Sequence, residues 1–101
     1  MATEVSHWID GVSAPGDSGA RRSPIFNPAT GQQQAEVALA DAGTVNTAVT
    51  AAATAFEEWG QSSLSKRTQI LFEFRRLVAA NSRQLAEVIS DEHGKTVDDA
   101  A

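Results

Sequence analysis

The sequence predicts an α+β fold in which a short antiparallel β unit, at about residues 7–39, is followed by three helices. In the first part of the chain, apolar and polar residues alternate between turn-forming Gly and Pro residues, which is typical of strands. Further along, apolar residues recur every three or four positions, which is the spacing of amphipathic helices. The 101 residues are enough for one small domain.

The predicted β unit begins with a hairpin, and residues 1–6 before it are expected to form a loose end. Asp10-Gly11 predicts a two-residue turn, because both positions of such a turn need positive φ. Val12-Ser13 is then the return strand. Residues 14–23 contain Pro, Gly and polar side chains, and they predict a surface loop.

A second turn and a longer strand complete the β unit. After the extended segment Pro24–Phe26, the turn Asn27–Gly31 is predicted because Pro28 keeps the preceding residue out of the helical region. The strand that follows is predicted at residues 34–39. Its alternation predicts one buried face. That face holds Ala35, Val37 and Leu39.

The three predicted helices are at about residues 42–59, 65–80 and 82–93. Their N-terminal caps are assigned to Asp41, to Ser65, and to Asn81 or Ser82, and their ends to Gly60, to Asn81-Ser82 and to Gly94. The apolar stripe of the first helix holds Val45, Ala48, Val49, Ala52, Phe56 and Trp59. Residues 98–101 resemble the start of a fourth helix. We expect residues 1–101 to form a single segment, with the β unit at 7–39 and helices at 41–101.

The charged residues of the second predicted helix lead to two further predictions. Glu73 and Arg76 are spaced to form an ion pair on its exposed side. Lys66 and Arg67 fall near its start, where the helix dipole disfavours cations. We therefore expect a carboxylate elsewhere to offset these two charges, and the sequence does not identify it.

Composition excludes several classes of function. The net charge of −5, from 13 acidic and 8 basic residues, disfavours nucleic-acid or anionic-membrane partners. The chain has no cysteine, so it has neither disulfides nor a thiol nucleophile of its own. No run of residues has the length and apolarity of a membrane span, and the first residues do not resemble a secretory signal. We expect a cytoplasmic protein.

Two motifs resemble catalytic or phosphate-binding signatures, but each has a simpler interpretation. Residues 63–66 match an S-x-x-K nucleophile motif, yet the other elements of that set are missing and a serine at a helix start is a common cap. Gly94-Lys95-Thr96 ends like a phosphate-binding loop, yet Ile89 stands where the first glycine of that loop is required. Both motifs are interpreted as helix ends.

Candidate metal ligands are also sparse. His7 and His93 are far apart in sequence, and a zinc site needs more ligands at shorter spacing. The acidic residues Asp91, Glu92, Asp98 and Asp99 are expected to form a solvated face. From the sequence we assign no catalytic, no cofactor-binding and no metal-ligating residue.

Five segments nevertheless occur in the order and spacing found in the N-terminal part of the aldehyde dehydrogenase superfamily. They are Trp8-Ile9-Asp10-Gly11, Asn27-Pro28-Ala29-Thr30-Gly31, Ala55-Phe56 with Trp59, Arg67 with Ile70-Leu71, and Glu92-His93-Gly94-Lys95-Thr96. The resemblance covers nearly all of residues 7–101. The version of the last segment, together with Ile70–Phe72, Phe74 and Leu77, is most similar to the CoA-acylating methylmalonate-semialdehyde dehydrogenase branch.

This resemblance implies the N-terminal part of an α/β, Rossmann-like fold and an NAD-dependent oxidoreductase. In that family a cysteine attacks the aldehyde, hydride passes to NAD, and in this branch CoA releases the product. The implied reaction, a step of valine catabolism, converts methylmalonate or malonate semialdehyde to propanoyl-CoA or acetyl-CoA with loss of CO₂. The implied partners are the remainder of the enzyme chain and further copies of it, as a tetramer, with no nucleic acid and no membrane.

The residues present limit what can be transferred from the family. The chain has no cysteine, and the resemblance implies that the cofactor-binding glycines of the family lie further along the enzyme chain. We therefore expect the catalytic and cofactor-binding groups to lie outside this sequence, so that NAD and CoA belong to the full-length enzyme and not to this segment. Residues 1–101 alone should then be inactive. Two alternatives stay open, which are a part of another aldehyde dehydrogenase, such as one for succinate semialdehyde, and a non-catalytic helical interaction module. Whether the reading frame continues past Ala101 would separate them.

The sequence also predicts an exposed apolar surface. The two helical stripes can cover each other only once, so part of their apolar area must remain uncovered within this chain. We expect Phe72 or Phe74 to be well exposed, and with them at least one of Leu85, Val88 and Ile89.

Overall fold

A computed structural model describes residues 3–101, and within this range the chain divides into two compact units. The first unit contains the residues up to Phe26 together with Gln33–Gln61. The second unit contains Asn27–Gln32 and Ser62–Ala101. No helix in the described range is long and apolar enough to cross a membrane.

The strands of the described residues lie in the first unit, in two separate sheets. They are β1 (Thr3–Val5), β2 (His7–Ile9), β3 (Val12–Ala14), β4 (Arg22–Phe26) and β5 (Gln33–Ala38). β5 is the central strand of one sheet, where it pairs parallel with β1 and antiparallel with β4. β2 and β3 form an antiparallel hairpin of their own. The predicted α+β class is confirmed, and so is antiparallel pairing within residues 7–39.

The predicted turns have the backbone conformations that the sequence requires. Asp10 has a φ of 54° and Gly11 a φ of 75°, as expected for a two-residue hairpin turn that connects β2 to β3. Gly31 has a φ of 71°, which a residue with a side chain adopts only at a cost. Both turn predictions are confirmed.

The prediction of a loose end at residues 1–6 is wrong for Thr3–Val5, which form β1; residues 1 and 2 lie outside the described range. β1 is fixed by a carboxylate as well as by its pairing. One oxygen of Glu4 accepts a hydrogen bond of 2.9 Å from the backbone N–H of Gly16, and the other accepts one of 2.7 Å from Nε of Arg22. Since these partners are distant in sequence, no local pattern could have predicted the strand.

The face assignment of β5 is partly wrong. Leu39, which was assigned to the buried face, is 38% exposed, whereas its neighbour Ala38, to which no face was assigned, is the most buried residue of the strand at 3% exposure. The loop between β3 and β4 explains this difference, because a Cβ placed on Gly16 would lie only 3.0 Å from the Cβ of Ala38. The loop therefore covers the face that the alternation assigned to solvent.

Helix α1 (Ala42–Trp59) begins and ends where the sequence predicts. Its cap is Asp41, whose Oδ1 accepts hydrogen bonds from the backbone N–H of Thr44 at 2.7 Å and from its hydroxyl at 2.8 Å. Gly60 ends the helix without a left-handed conformation, since its φ is −62°. A Cβ on Gly60 would lie 2.8 Å from the ring of Phe56, so this glycine makes room for an aromatic side chain.

The predicted apolar stripe of α1 is divided between two environments. Two of its members, Ala48 and Ala52, line a groove of about 500 Å³ that the β2–β3 hairpin also lines. The lining residues are Trp8, Ile9, Asp10, Gly11, Ala48, Ala51, Ala52 and Ala55. Val45, Val49, Phe56 and Trp59 of the stripe remain exposed. The small alanine side chains thus line the groove, whereas the large side chains of the stripe are left exposed.

The second unit contains α2 (Leu64–Ala80), α3 (Ser82–His93) and α4 (Val97–Ala100). The predicted helices are confirmed, but two caps differ. The cap of α2 is Ser63 and not Ser65, because the Ser63 hydroxyl accepts from the backbone N–H of Lys66 at 3.1 Å. Asn81 makes no side-chain cap to α3; its Nδ2 donates to the carbonyl of Leu77 at 2.8 Å and so ends α2. Gly94 ends α3 in a left-handed conformation, as predicted.

Candidate interaction surface

Two of the sequence segments singled out above lie together in the second unit. In the turn 27–31, the side-chain oxygen of Asn27 accepts a hydrogen bond of 2.9 Å from the backbone N–H of Ala29. The backbone carbonyl of Asn27 accepts one of 2.8 Å from the backbone N–H of Gly31. Pro28 of this turn abuts Gly94, where an added Cβ would lie 3.0 Å from the proline Cγ. The absence of a side chain at Gly94 thus permits both the left-handed conformation at the helix end and the close approach of the turn.

The segment from Gly94 to Thr96 forms a corner between two helices. The hydroxyl of Ser90 donates to the carbonyl of Lys95 at 2.6 Å, and the hydroxyl of Thr96 accepts from the backbone N–H of Asp99 at 3.2 Å. The Thr96 hydroxyl therefore caps α4. These contacts favour the interpretation as a helix end over that as a phosphate-binding loop. The Ser63 hydroxyl likewise acts as a cap, which favours the same interpretation of the S-x-x-K motif.

The candidate metal ligands are not brought together. His7 lies in β2 of the first unit, and His93 ends α3 in the second. Over residues 3–101, no group of three or more His, Cys, Asp or Glu side chains is placed to hold a metal ion. Asp98 and Asp99 lie in the first turn of α4, where the helix dipole favours negative charge.

A cleft of about 790 Å³ in the first unit lies between the loop after β3 and the start of α1. Its lining includes the carboxylates of Asp17 and Asp41 and the side chain of Arg21. The free amides at the start of a helix commonly bind phosphate. In this cleft the Asp41 carboxylate already occupies that position, and the hydrogen bonds from Thr44 lower the pKa of Asp41. An anionic ligand would therefore meet negative charge there.

The most prominent feature of the described residues is exposed apolar surface. Nineteen large apolar side chains between residues 3 and 101 are exposed, while the buried hydrophobic residues in that range are Ala38 and Ala86. The accessible area of the chain is 7881 Å². A free monomer of this mass, 10.7 kDa, is expected to expose about 5,500 Å². The predicted exposure is confirmed, for Phe72 and Phe74 and for all three apolar residues named on α3.

Helix α2 carries seven of these exposed side chains. At 100° per residue, six large apolar residues fall within an arc of about 140°. This α2 apolar face consists of Leu64, Ile70, Leu71, Phe74, Leu77 and Val78, all of them exposed. Phe72 lies outside the arc, on the side of Arg75 and Arg76. The predicted ion pair joins Arg76 to Glu73 at 2.6 Å, away from the apolar face.

Arg67 lies in the middle of the α2 apolar face. Its Nε atom is buried and has no hydrogen-bond partner within the described part of the chain. A buried donor without an acceptor is unfavourable, so a surface that covers this face is expected to supply one. The sequence predicted that a carboxylate would offset the charges at this helix start, and among residues 3–101 no carboxylate accepts a hydrogen bond from Arg67 Nε.

Comparison with known proteins identifies relatives of the whole chain. Residues 15–101 match the model of the aldehyde dehydrogenase family. Malonate-semialdehyde dehydrogenase of Pseudomonas aeruginosa is 41% identical over 95 residues, which are 94% of this chain and 19% of that protein. Malonate-semialdehyde dehydrogenase 2 of Bacillus thuringiensis is 36% identical over 93 residues, and 3,6-anhydro-alpha-L-galactose dehydrogenase of Streptomyces coelicolor is 42% identical over 84. The match to the Bacillus thuringiensis protein covers 92% of this chain and 18% of that protein, and the match to the Streptomyces coelicolor protein covers 83% and 17%.

Solved structures agree with these relatives. A protein from Sinorhizobium meliloti assigned as a methylmalonate-semialdehyde dehydrogenase, complexed with NAD, matches 99% of this chain with a TM-score of 0.93 and 44% identity. Methylmalonate-semialdehyde dehydrogenase from Oceanimonas doudoroffii matches 99% with a TM-score of 0.92 and 34% identity. The chain spans about a fifth of the length of these proteins, 20% in both structures.

Proposed function

Because the chain belongs to the aldehyde dehydrogenase family, we propose that it forms the N-terminal part of an NAD-dependent, CoA-acylating methylmalonate- or malonate-semialdehyde dehydrogenase. The observation that carries this proposal is the exposed apolar surface of a chain that spans about a fifth of its relatives. Such a surface is expected of one part of a larger folded protein. Similarity to malonate-semialdehyde dehydrogenases favours the substrate class.

The proposed reaction oxidises the semialdehyde and gives propanoyl-CoA or acetyl-CoA with loss of CO₂. The thiol that attacks the aldehyde has to come from outside these 101 residues, because the chain has no cysteine. In this reaction NAD accepts the hydride that leaves the aldehyde. We assign the NAD site to the remainder of the enzyme, because the cleft at the start of α1 sets Asp17 and Asp41, with Arg21 as its one cationic lining residue, against a negatively charged pyrophosphate.

The chain therefore has the role of a scaffold in this proposal. Residues 1–101 form a single segment of a larger domain, in which the remainder of the enzyme covers the exposed stripes of α1 and α2. Further copies of the enzyme, as a tetramer, are the other proposed partners, and neither nucleic acid nor a membrane takes part. We place the enzyme in the cytoplasm, with which a chain free of cysteine is compatible.

A chimera tests this role. The matched region of the Pseudomonas aeruginosa malonate-semialdehyde dehydrogenase is replaced by this chain, and NADH formation is measured with malonate semialdehyde, NAD and CoA. We expect a folded chimera with activity well above a buffer blank, whereas the 101-residue chain alone produces no NADH. A chimera that has a native circular dichroism spectrum and melting temperature but no activity would contradict the proposal.

A second chimera addresses the alternatives. The same segment is placed in a succinate-semialdehyde dehydrogenase, where we expect weaker stability and lower activity relative to that parent. Equal performance in both enzymes would favour a general aldehyde dehydrogenase segment over one of the methylmalonate branch. Failure in both, together with a cooperatively folding monomer of residues 1–101, would favour the non-catalytic module.

A further inference from the structure

We propose that the remainder of the enzyme contributes a carboxylate, from an Asp or Glu side chain, that forms an ion pair with Nε of Arg67 in the middle of the α2 apolar face. This inference rests on the proposed function, since it takes the surface that covers this face from the same larger protein. It goes further because it names the chemistry of that surface, which is apolar around an acidic side chain.

The position of Arg67 makes it a cation that needs a partner. Arg67 lies near the middle of the arc that the six apolar residues occupy, with Ile70 and Leu71 about one turn further along α2. The residue is half-buried, and its Nε is buried and makes no hydrogen bond among residues 3–101. A guanidinium is always charged. Since a surface that covers the face removes more water from this group, a partner of opposite charge is required there.

Helix α2 has no free carboxylate for this role. Positions three and four residues from Arg67, its neighbours on the helix surface, hold Ser63, Leu64, Ile70 and Leu71. The helix contains four basic side chains and one acidic side chain, Glu73. Both oxygens of Glu73 accept hydrogen bonds from Arg76, at 2.9 and 2.6 Å. The helix is therefore left with an excess of three positive charges, in a chain whose net charge is −5.

The ion pairs of other arginines indicate which partner fits Nε. Nε of Arg22 lies 2.7 Å from a carboxylate oxygen of Glu4, and Nε of Arg83 lies 3.1 Å from one of Glu87. The pair within α2 also uses Nε of its arginine. Arg22 is the nearest parallel to Arg67, because its side chain is 27% exposed and thus half-buried as well. A carboxylate at Nε of Arg67 repeats this arrangement with a group from outside residues 1–101.

Three substitutions of Arg67 in the Pseudomonas aeruginosa chimera described above test the carboxylate. Arg67→Lys keeps the positive charge, Arg67→Gln keeps an N–H donor without the charge, and Arg67→Met keeps neither. Arg76→Met is the matched control, because Arg76 is nine residues further on and therefore on the opposite side of α2, where its ion pair is exposed. The melting temperature of each chimera is measured at pH 7 and one protein concentration, and its helix content by circular dichroism.

A carboxylate partner predicts a definite order of stability. We expect Arg67→Met to lower the melting temperature by at least about 4 °C, because it leaves a buried carboxylate without its cation. Arg76→Met should change it by no more than about 1 °C, since an exposed pair contributes little. Arg67→Lys should recover part of the loss and Arg67→Gln less, because only lysine restores the charge. If Arg67→Met does not fold, the comparison of lysine with glutamine decides.

Three results would overturn the proposal. Arg67→Met as stable as the wild-type chimera would mean that Nε has no partner in the enzyme. Arg67→Gln at least as stable as Arg67→Lys would indicate a neutral acceptor, such as a backbone carbonyl. An equal loss in Arg76→Met would show only a general effect of removing positive charge from α2.

Failure of the proposed function gives a different result. A chimera with native stability that forms no NADH contradicts the proposed function, whereas the order of stability among the Arg67 variants is still measured in it. A wild-type chimera that does not fold contradicts both, because the remainder of the enzyme then does not cover this segment.

Discussion

Replacement of Gly94 by alanine tests the junction between α3 and the turn that contains Pro28. Gly94 has a φ of 86°, and the left-handed conformation costs a residue with a side chain about 1–2 kcal/mol. The new Cβ would also lie 3.0 Å from Cγ of Pro28, whereas carbon atoms pack best at about 3.5–4.0 Å. The substitution therefore combines backbone strain with a steric contact.

Gly31→Ala separates these two contributions. Gly31 has a φ of 71°, and a Cβ added to it meets nothing within 4 Å, so this substitution introduces strain alone. Overpacking a fixed contact costs about 1–3 kcal/mol. We therefore expect Gly94→Ala to destabilise the chain by about 1 kcal/mol more than Gly31→Ala does.

The assay is denaturant unfolding followed by circular dichroism at one fixed protein concentration, because association would shift the midpoint. Pro28→Ala, alone and combined with Gly94→Ala, completes a double-mutant cycle that isolates the contact. A favourable coupling is expected, since loss of the proline Cγ relieves the crowding. Equal destabilisation by Gly94→Ala and Gly31→Ala, with no coupling to Pro28, would refute the close approach of the turn to α3.

The remaining predictions concern two helix caps and the hydrogen-bonded carboxylate of Glu4 in β1. Ser63→Ala should destabilise α2 by about 1 kcal/mol, and Ser65→Ala should change stability by less than about 0.5 kcal/mol in the same unfolding assay. Asp41→Ala should lower the unfolding midpoint more than Asp41→Asn, because asparagine can still accept from the start of α1; equal effects of the two would contradict the cap. The hydrogen bonds from Arg22 and Gly16 lower the pKa of Glu4. Its contribution to stability is thus present above about pH 4.3 and lost as the pH falls through the lowered pKa. Glu4→Gln should flatten that acid-side loss, and an unchanged pH profile would contradict the contact.

Local signals explain why the helices could be predicted closely. The capping carboxylate of Asp41 and the left-handed Gly94 act within a few residues of the positions that they fix, so a sequence pattern contains the whole interaction. The same holds for the Asp10-Gly11 turn. Where several residues of one type compete, local pattern is insufficient, and Ser63 rather than Ser65 is the cap of α2 because its backbone is extended at φ −62° and ψ 152°.

Non-local contacts explain the errors in the β unit. β1 depends on Glu4, whose partners are 12 and 18 residues away. The burial of Ala38 depends on a loop that returns over β5 through Gly16. Alternation of apolar and polar residues can predict which side chains share a face of a strand. It cannot state which face another part of the chain will cover, nor that a segment such as Thr3–Val5 will pair with a strand distant in sequence.

The same distinction between local pattern and non-local contacts applies to the exposed apolar stripes of the helices. An amphipathic helix forms its stripe from spacing alone, whether or not the surface that covers the stripe belongs to the same segment. In α1 the alanines line a groove that the hairpin also lines, and the large side chains remain exposed. In α2 the apolar face surrounds a buried Arg67 Nε that lacks an acceptor among the described residues. An uncovered apolar face and an unsatisfied donor at its centre are the two marks of a surface that needs a further partner. In the function proposed above, the remainder of a larger enzyme is that partner, and this chain supports the residues that perform the reaction.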